Sequence, residues 1–174
     1  MKDGFIKVAA GTPDIKVADC EYNRAEITAL IDKAYAAGVR ILALPELCIT
    51  GYTCQDLFFQ QALLDGALNA LREITEHTAG SDMLISVGCP LRFRGELYNC
   101  AVVLKNGKIL GVVPKKFLPN YNEFYEKRHF TAAPEGQFDI ELFGESVPFG
   151  LGLLFECRTM PELVFAAELC EDLW

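Results

Sequence analysis

In the first half of the chain, short apolar segments alternate with stretches whose apolar residues recur at helical spacing. This alternation limits the fold more than any other feature. Val39 to Leu44 is apolar except for Arg40, the composition of a strand covered on both faces. Before it, Ile27, Leu30, Ile31 and Ala34 repeat at i, i+3, i+4 and i+7. That spacing predicts a helix from about Asp19 or Cys20 to a C-cap at Gly38. After it, Leu57, Leu64, Leu68, Leu71 and Ile74 predict a second helix over Asp56 to Thr78. Phe5 to Ala10 and Met83 to Cys89 read as the flanking strands. Strand, helix, strand, helix, strand is the order of an α/β layer with crossover connections.

The second half changes character. Leu97 to Leu104 and Lys108 to Val113 flank Asn106-Gly107, a dipeptide that favours a type I′ hairpin turn. Lys115 to Gly136 is a long polar and aromatic loop, and loops of that length inside a compact domain tend to be functional. Phe138 to Phe143, Gly150 to Cys157 and Leu163 to Leu169 read as further strands, with a turn at Met160-Pro161. There is no internal repeat, low-complexity tract or linker, so residues 1–174 are expected to form one domain.

Composition excludes several classes. With 174 residues and 51% hydrophobic content, the chain can bury roughly 70% of its unfolded surface and is not a disordered tail. A net charge of −8 and the lack of a Lys/Arg cluster argue against nucleic acid as a partner. The apolar runs are too short to cross a bilayer, and the N-terminus has no signal-peptide core, so a cytoplasmic location is expected. Seven cysteines without a Cys-x-x-Cys pair, and two distant histidines, His77 and His129, argue against disulfides and zinc. Six of those cysteines are expected in the core.

Three predicted strands run into reactive side chains: Glu46 after Pro45, Lys115 after Pro114, and Cys170 after Leu169. Ligand sites of α/β sheets gather beyond the carboxyl ends of strands. A carboxylate, an ammonium and a thiol brought together there suit acyl transfer on an amide. A free thiol of pKa about 8.5 is mostly protonated at neutral pH. An ordinary glutamate is about four units too acidic to take its proton, roughly 6 kcal/mol uphill. Burial of the glutamate and a nearby ammonium both narrow that gap. The ammonium and the Glu171 backbone N–H could then hold the charge developing on the carbonyl oxygen.

The segments Leu44-Pro-Glu-Leu-Cys-Ile-Thr-Gly-Tyr52, Val113-Pro-Lys-Lys-Phe-Leu-Pro-Asn-Tyr121 and Glu168-Leu-Cys-Glu-Asp-Leu-Trp174 resemble the Glu, Lys and Cys blocks of the nitrilase (carbon–nitrogen hydrolase) superfamily. With Asp56-Leu57-Phe58 and Phe124-Tyr125-Glu126-Lys127-Arg128, they look most like the N-terminal glutaminase domain of glutamine-dependent NAD+ synthetases. The resemblance implies an α-β-β-α sandwich, here incomplete at its C-terminal part. It also implies hydrolysis of glutamine to glutamate and ammonia through a Cys thioester. Glu46 matches the general base, Lys115 the charge-stabilising lysine and Cys170 the nucleophile; Lys116 is the competitor for the lysine role. Tyr121 and Glu171 match positions that shape the glutamine pocket, and Tyr52 is expected to pack beside it. Glu126, or its rival Glu123, could be a further acid near the lysine.

The implied partner is a synthetase domain of the same polypeptide, in a homo-oligomer at full length. That domain, absent from this chain, would hold ATP and Mg and amidate nicotinic acid adenine dinucleotide. The chain itself has no Gly-rich nucleotide loop, so no cofactor is expected in it. Ending at Trp174, it reads as a fragment with little or no activity of its own. An amidase or nitrilase for another small amide, and a non-catalytic module on the same fold, are the alternatives. The remaining aromatics Phe117, Phe124, Tyr125 and Phe130 are expected to pin the long loop, and His129 to sit at the surface or the pocket rim.

Overall fold

The computed structural model describes residues 4–174; Met1, Lys2 and Asp3, part of the expected signal-free N-terminus, lie outside the described residues. A seven-stranded mixed sheet organises the chain, in the order β1-β2-β3-β4-β5-β7-β6. β1 (Val8–Ala10), β2 (Ile41–Ala43) and β3 (Leu84–Phe93) run parallel. β4 (Glu96–Lys105) turns back against β3, and β5 (Lys108–Pro114) against β4. β2 and β5 therefore point the same way. β6 (Gln137–Leu142) and β7 (Glu145–Gly150) form a hairpin whose second strand joins β5 in parallel. β8 (Phe155–Cys157) and β9 (Met160–Phe165) make a separate two-stranded sheet.

Both helices pack on one sheet face. α1 (Cys20–Ala36) is capped by the Asp19 carboxylate, which accepts the Tyr22 N–H. It ends before Gly38, at φ +76°. Its Ile27 and Ile31 join Leu64, Ala67, Leu71 and Ile74 of α2 (Gln61–His77) over Leu42, Ile85, Val87, Cys100, Val102 and Val112 of the sheet. The helix expected from Asp56 is divided. Gln55–Phe59 is a 3₁₀ turn, and Gln60 is extended at ψ 125° before α2 begins. Leu57 thereby falls off the apolar stripe and is partly exposed.

Other expectations need correction. The first strand is shorter than Phe5 to Ala10, and Phe5 is exposed. The second strand is not covered on both faces: Leu42 is buried beneath the helices, but Ala43 on the opposite face is exposed. Gly150 ends β7 instead of opening a strand. Its partner β6 is reached through Phe143-Gly144, both at positive φ (55° and 82°). The last hairpin turns at Arg158-Thr159, not at Met160-Pro161, and β9 stops at Phe165, well short of Leu169. The Asn106-Gly107 turn forms as expected, with φ values of 51° and 74°.

The second face of the sheet carries Gly88, Asn99, Ala101, Val113 and Lys115, set by the period of two along β3, β4 and the end of β5. Gly88 is small for a definite reason. A Cβ there would lie 2.2 Å from the Leu47 nitrogen and 2.4 Å from the Pro45 oxygen. The turn after β2 rides directly over it. Of the sandwich implied by the resemblance, the described residues form one helix layer and one main sheet. β8 and β9 lie against the second face beside Gly111, where a Cβ would meet the Phe155 ring at 3.0 Å.

Candidate active site

The turn that crosses Gly88 delivers Glu46 to the second face. Leu47, at φ +51°, reverses the chain there, and the Ile49 N–H bonds the Gly88 carbonyl. Lys115 leaves the end of β5 on the same face. Its Nζ donates to Glu46 Oε1 and to Glu126 Oε1, each at 2.7 Å. Lys115 has no exposed side-chain surface, and Glu126 only 3%. Tyr52 Oη donates to the same Glu126 oxygen at 2.6 Å, and Asn99 Nδ2 donates to Glu46 Oε1. The ammonium is thus clamped between two carboxylates in a largely dry setting.

Electrostatics follow from that packing. Burial works against the Lys115 charge, but hydrogen bonds and field from Glu126 and Glu46 outweigh it, and its pKa is raised above 10.5. Burial raises the Glu126 carboxyl against the opposing pull of Lys115 and Tyr52; its Oε2 is buried without a hydrogen-bond partner among the described residues. Burial likewise raises Tyr52, helped by its bond to Glu126 and by the charges of Glu46 and Cys170.

Glu126 belongs to the long loop, in a 3₁₀ turn over Glu126–Arg128. That turn is tied to the Gln55–Phe59 segment by the Asp56 carboxylate, which accepts from Arg128 Nε (2.7 Å) and Nη2 (2.9 Å) and contacts His129 Nε2 at 3.2 Å. The Arg128 bonds, then His129, hold Asp56 well below the usual carboxylate range. His129 takes the pocket-rim alternative: it lines a small cavity with Tyr52, Glu123 and Glu126, with 5% of its side chain exposed and its ring packed against Phe58 and Phe59. Phe130 is buried beside it, whereas Phe117 and Tyr125 are exposed. Glu123 is exposed, and Lys116 points outward over the Phe117 ring.

Cys170 is differently placed. It does not end a strand but opens a 3₁₀ turn over Cys170–Leu173, at φ +49°, and it is exposed. Its flanks fix it near the charged cluster. Leu169 is buried on Ala101 and Val113, the residues two positions from Asn99 and Lys115 along their strands. Asp172 Oδ1 accepts the Lys116 N–H at 3.0 Å and the Phe117 N–H at 2.8 Å. Cys170 also lies within electrostatic reach of both Tyr52 and Tyr121. Tyr121 donates to the Glu171 carboxylate, which raises the phenol.

Sequence reasoning missed Asn99, Gly88 and the Asp172 clamp. An asparagine inside an apolar strand was the one available signal, since asparagine is depleted there. Five cysteines are buried; Cys157, expected in the core, is partly exposed. Among the described residues no cluster of potential metal ligands occurs, and no helix is long and apolar enough to cross a membrane.

A profile of the carbon–nitrogen hydrolase family matches residues 7–174. The glutamine-dependent NAD+ synthetase of Mycobacterium tuberculosis is 37% identical over 171 residues, covering 98% of this chain and 25% of that protein. The Arabidopsis thaliana enzyme of the same name is 36% identical, again over 98% of this chain and 24% of its own. The chain therefore spans about a quarter of the length of the curated relatives it matches. A crystal structure of a glutamine-dependent NAD+ synthetase from Cytophaga hutchinsonii superposes with a TM-score of 0.87 at 34% identity, over 96% of this chain and 28% of that one. An amidase from Nesterenkonia sp. AN1 shares the fold, with a TM-score of 0.65 at 18% identity over 85% of this chain and 56% of its own. With a family match along almost its whole length, on a mixed α/β fold shared with solved relatives, the chain belongs to the carbon–nitrogen hydrolase family.

Proposed function

We propose that this domain hydrolyses the side-chain amide of glutamine to glutamate and ammonia through a thioester on Cys170. It does so as the glutaminase part of a longer polypeptide that makes NAD+. The observation that carries the reading is the buried Lys115 ammonium bridging Glu46 and Glu126, beside a cysteine turn anchored on both sides. Glu46 accepts the thiol proton, and the sulfur attacks the amide carbon. The Lys115 ammonium and the Glu171 N–H stabilise the resulting oxyanion. Glu46 returns its proton to the departing ammonia, then takes one from water as it opens the thioester, regenerating the thiol. Glu126, steadied by Tyr52, holds the ammonium in place, and the hydrogen-bonded Tyr121 and Glu171 wall the substrate pocket.

The relatives' name supplies the wider setting. The released ammonia feeds a synthetase domain of the same, oligomeric polypeptide, where ATP and Mg serve the amidation of nicotinic acid adenine dinucleotide. The bare second face at Ala43 argues for weak turnover by these 174 residues alone. A glutamine-like diazoketone that traps the acyl-enzyme stage therefore tests the reading. Labelling of Cys170, prevented by glutamine and lost in Cys170→Ala and Glu46→Gln, is expected. Equal protection by simple aliphatic amides would point to a general amidase, and labelling of all exposed thiols alike to a non-catalytic module.

A further inference from the structure

Asn99 occupies the middle of β4, fully buried, between two strands that need nothing from its side chain. Opposite it on β3 stands Pro90, which has no N–H. On the other side its backbone carbonyl accepts the Lys115 N–H at 2.8 Å. Its side chain reaches across the second face, and Nδ2 donates to Glu46 Oε1, the oxygen that also receives Lys115. One residue therefore sets both where the lysine departs from the sheet and where the carboxylate comes to rest.

The other end of the amide is informative. Asn99 Oδ1 is buried with no hydrogen-bond partner among the described residues. A buried unpaired acceptor is unfavourable, and asparagine is a poor strand former. A purely structural role would be filled better by Leu or Val, like the neighbouring Leu97, Val102 and Val103. Only the NH₂ is used, and it is used on the carboxylate.

We infer that Asn99 is a positioning residue, whose side-chain amide holds Glu46 in line with Lys115 and favours the charged, proton-accepting carboxylate. The inference rests on the proposed role of Glu46. A hydrogen bond given to the ionised form stabilises that form, so loss of the donor weakens the support for the proton-accepting carboxylate.

The test is the rate at which iodoacetamide alkylates Cys170, followed by peptide mass spectrometry from pH 5 to 9. Asn99→Leu and Asn99→Asp are compared with the unmodified chain and with Glu46→Gln, and thermal melting reports the fold. Asn99→Leu keeps the buried volume without a donor; Asn99→Asp keeps the shape and sets a second carboxylate against Glu46. Each folded variant is expected to react about tenfold more slowly at neutral pH. The acid limb of its profile should move to higher pH, further for Asn99→Asp than for Asn99→Leu. Two results are distinguishable failures. If Glu46→Gln leaves Cys170 reactivity unchanged, the role of Glu46 falls and the inference with it. If Glu46→Gln slows the reaction while a folded Asn99 variant keeps the unmodified profile, the inference alone is overturned.

Discussion

The Lys115 cluster and the Cys170 turn lie on the same side of one sheet and are built on opposite plans. Lys115 is sealed from solvent, and its ammonium donates to two charged side chains, Glu46 and Glu126. Cys170 is exposed in a left-handed backbone conformation, and its location is set by what Leu169 and Asp172 grip. The charged groups are held by direct bonds, the sulfur by its neighbours. Support of this kind leaves the sulfur itself free, as the proposed nucleophilic role requires, and left-handed strain of order 1–3 kcal/mol is tolerated where surrounding contacts enforce it.

The contrast predicts graded effects on stability. Lys115→Met leaves the buried Glu126 carboxylate facing the half-buried Glu46 with no counter-charge, and about 3–5 kcal/mol should be lost in urea unfolding. Because the Lys115 pKa is raised, its stabilisation is complete below the unfolded value of about 10.4. It disappears as pH climbs through the higher folded value, and this alkaline loss should vanish in Lys115→Met. Gly88→Ala drives a methyl into the backbone of the Glu46 turn and should lose about 1–3 kcal/mol. Its Glu46-dependent labelling of Cys170 should fall further than stability does. Asp172→Ala frees two backbone N–H groups at a cost of about 1 kcal/mol, again with a larger drop in Cys170 reactivity. Cys170→Ala should change stability by no more than about 0.5 kcal/mol while removing diazoketone labelling. A large loss of stability in that last variant would break the contrast.

How legible these two regions were differs in the same way. Glu46 and Lys115 follow apolar strands through a proline, so local pattern alone marks them as strand-end groups that parallel strands bring to one side. Cys170 lacks such a strand: local pattern places it at the end of Leu163 to Leu169, but β9 ends at Phe165, so the strand argument for this residue fails and the resemblance alone still marks it. Contacts across many residues left no local trace. Tyr52 meets Glu126, Asn99 meets Glu46, and Asp172 meets Lys116 across 74, 53 and 56 positions of sequence. The division of the second helix was hidden for another reason. Leu57 fits the stripe of α2 by spacing, but Asp56 is engaged by Arg128 from the long loop, and a tertiary ion pair overrides the helical period.

The five buried thiols have a practical consequence. Burial pushes Cys20 up to about 11 and Cys48 up to about 12, and Cys54, Cys89 and Cys100 upward as well. Cys89 and Cys100 even face each other across adjacent strands. Folding thus silences most of the chain's sulfur chemistry and leaves a water-borne electrophile only Cys157 and Cys170 to find. Counting modified sulfurs over time would then act as a clock for unfolding, jumping from two toward seven only in molecules that have opened.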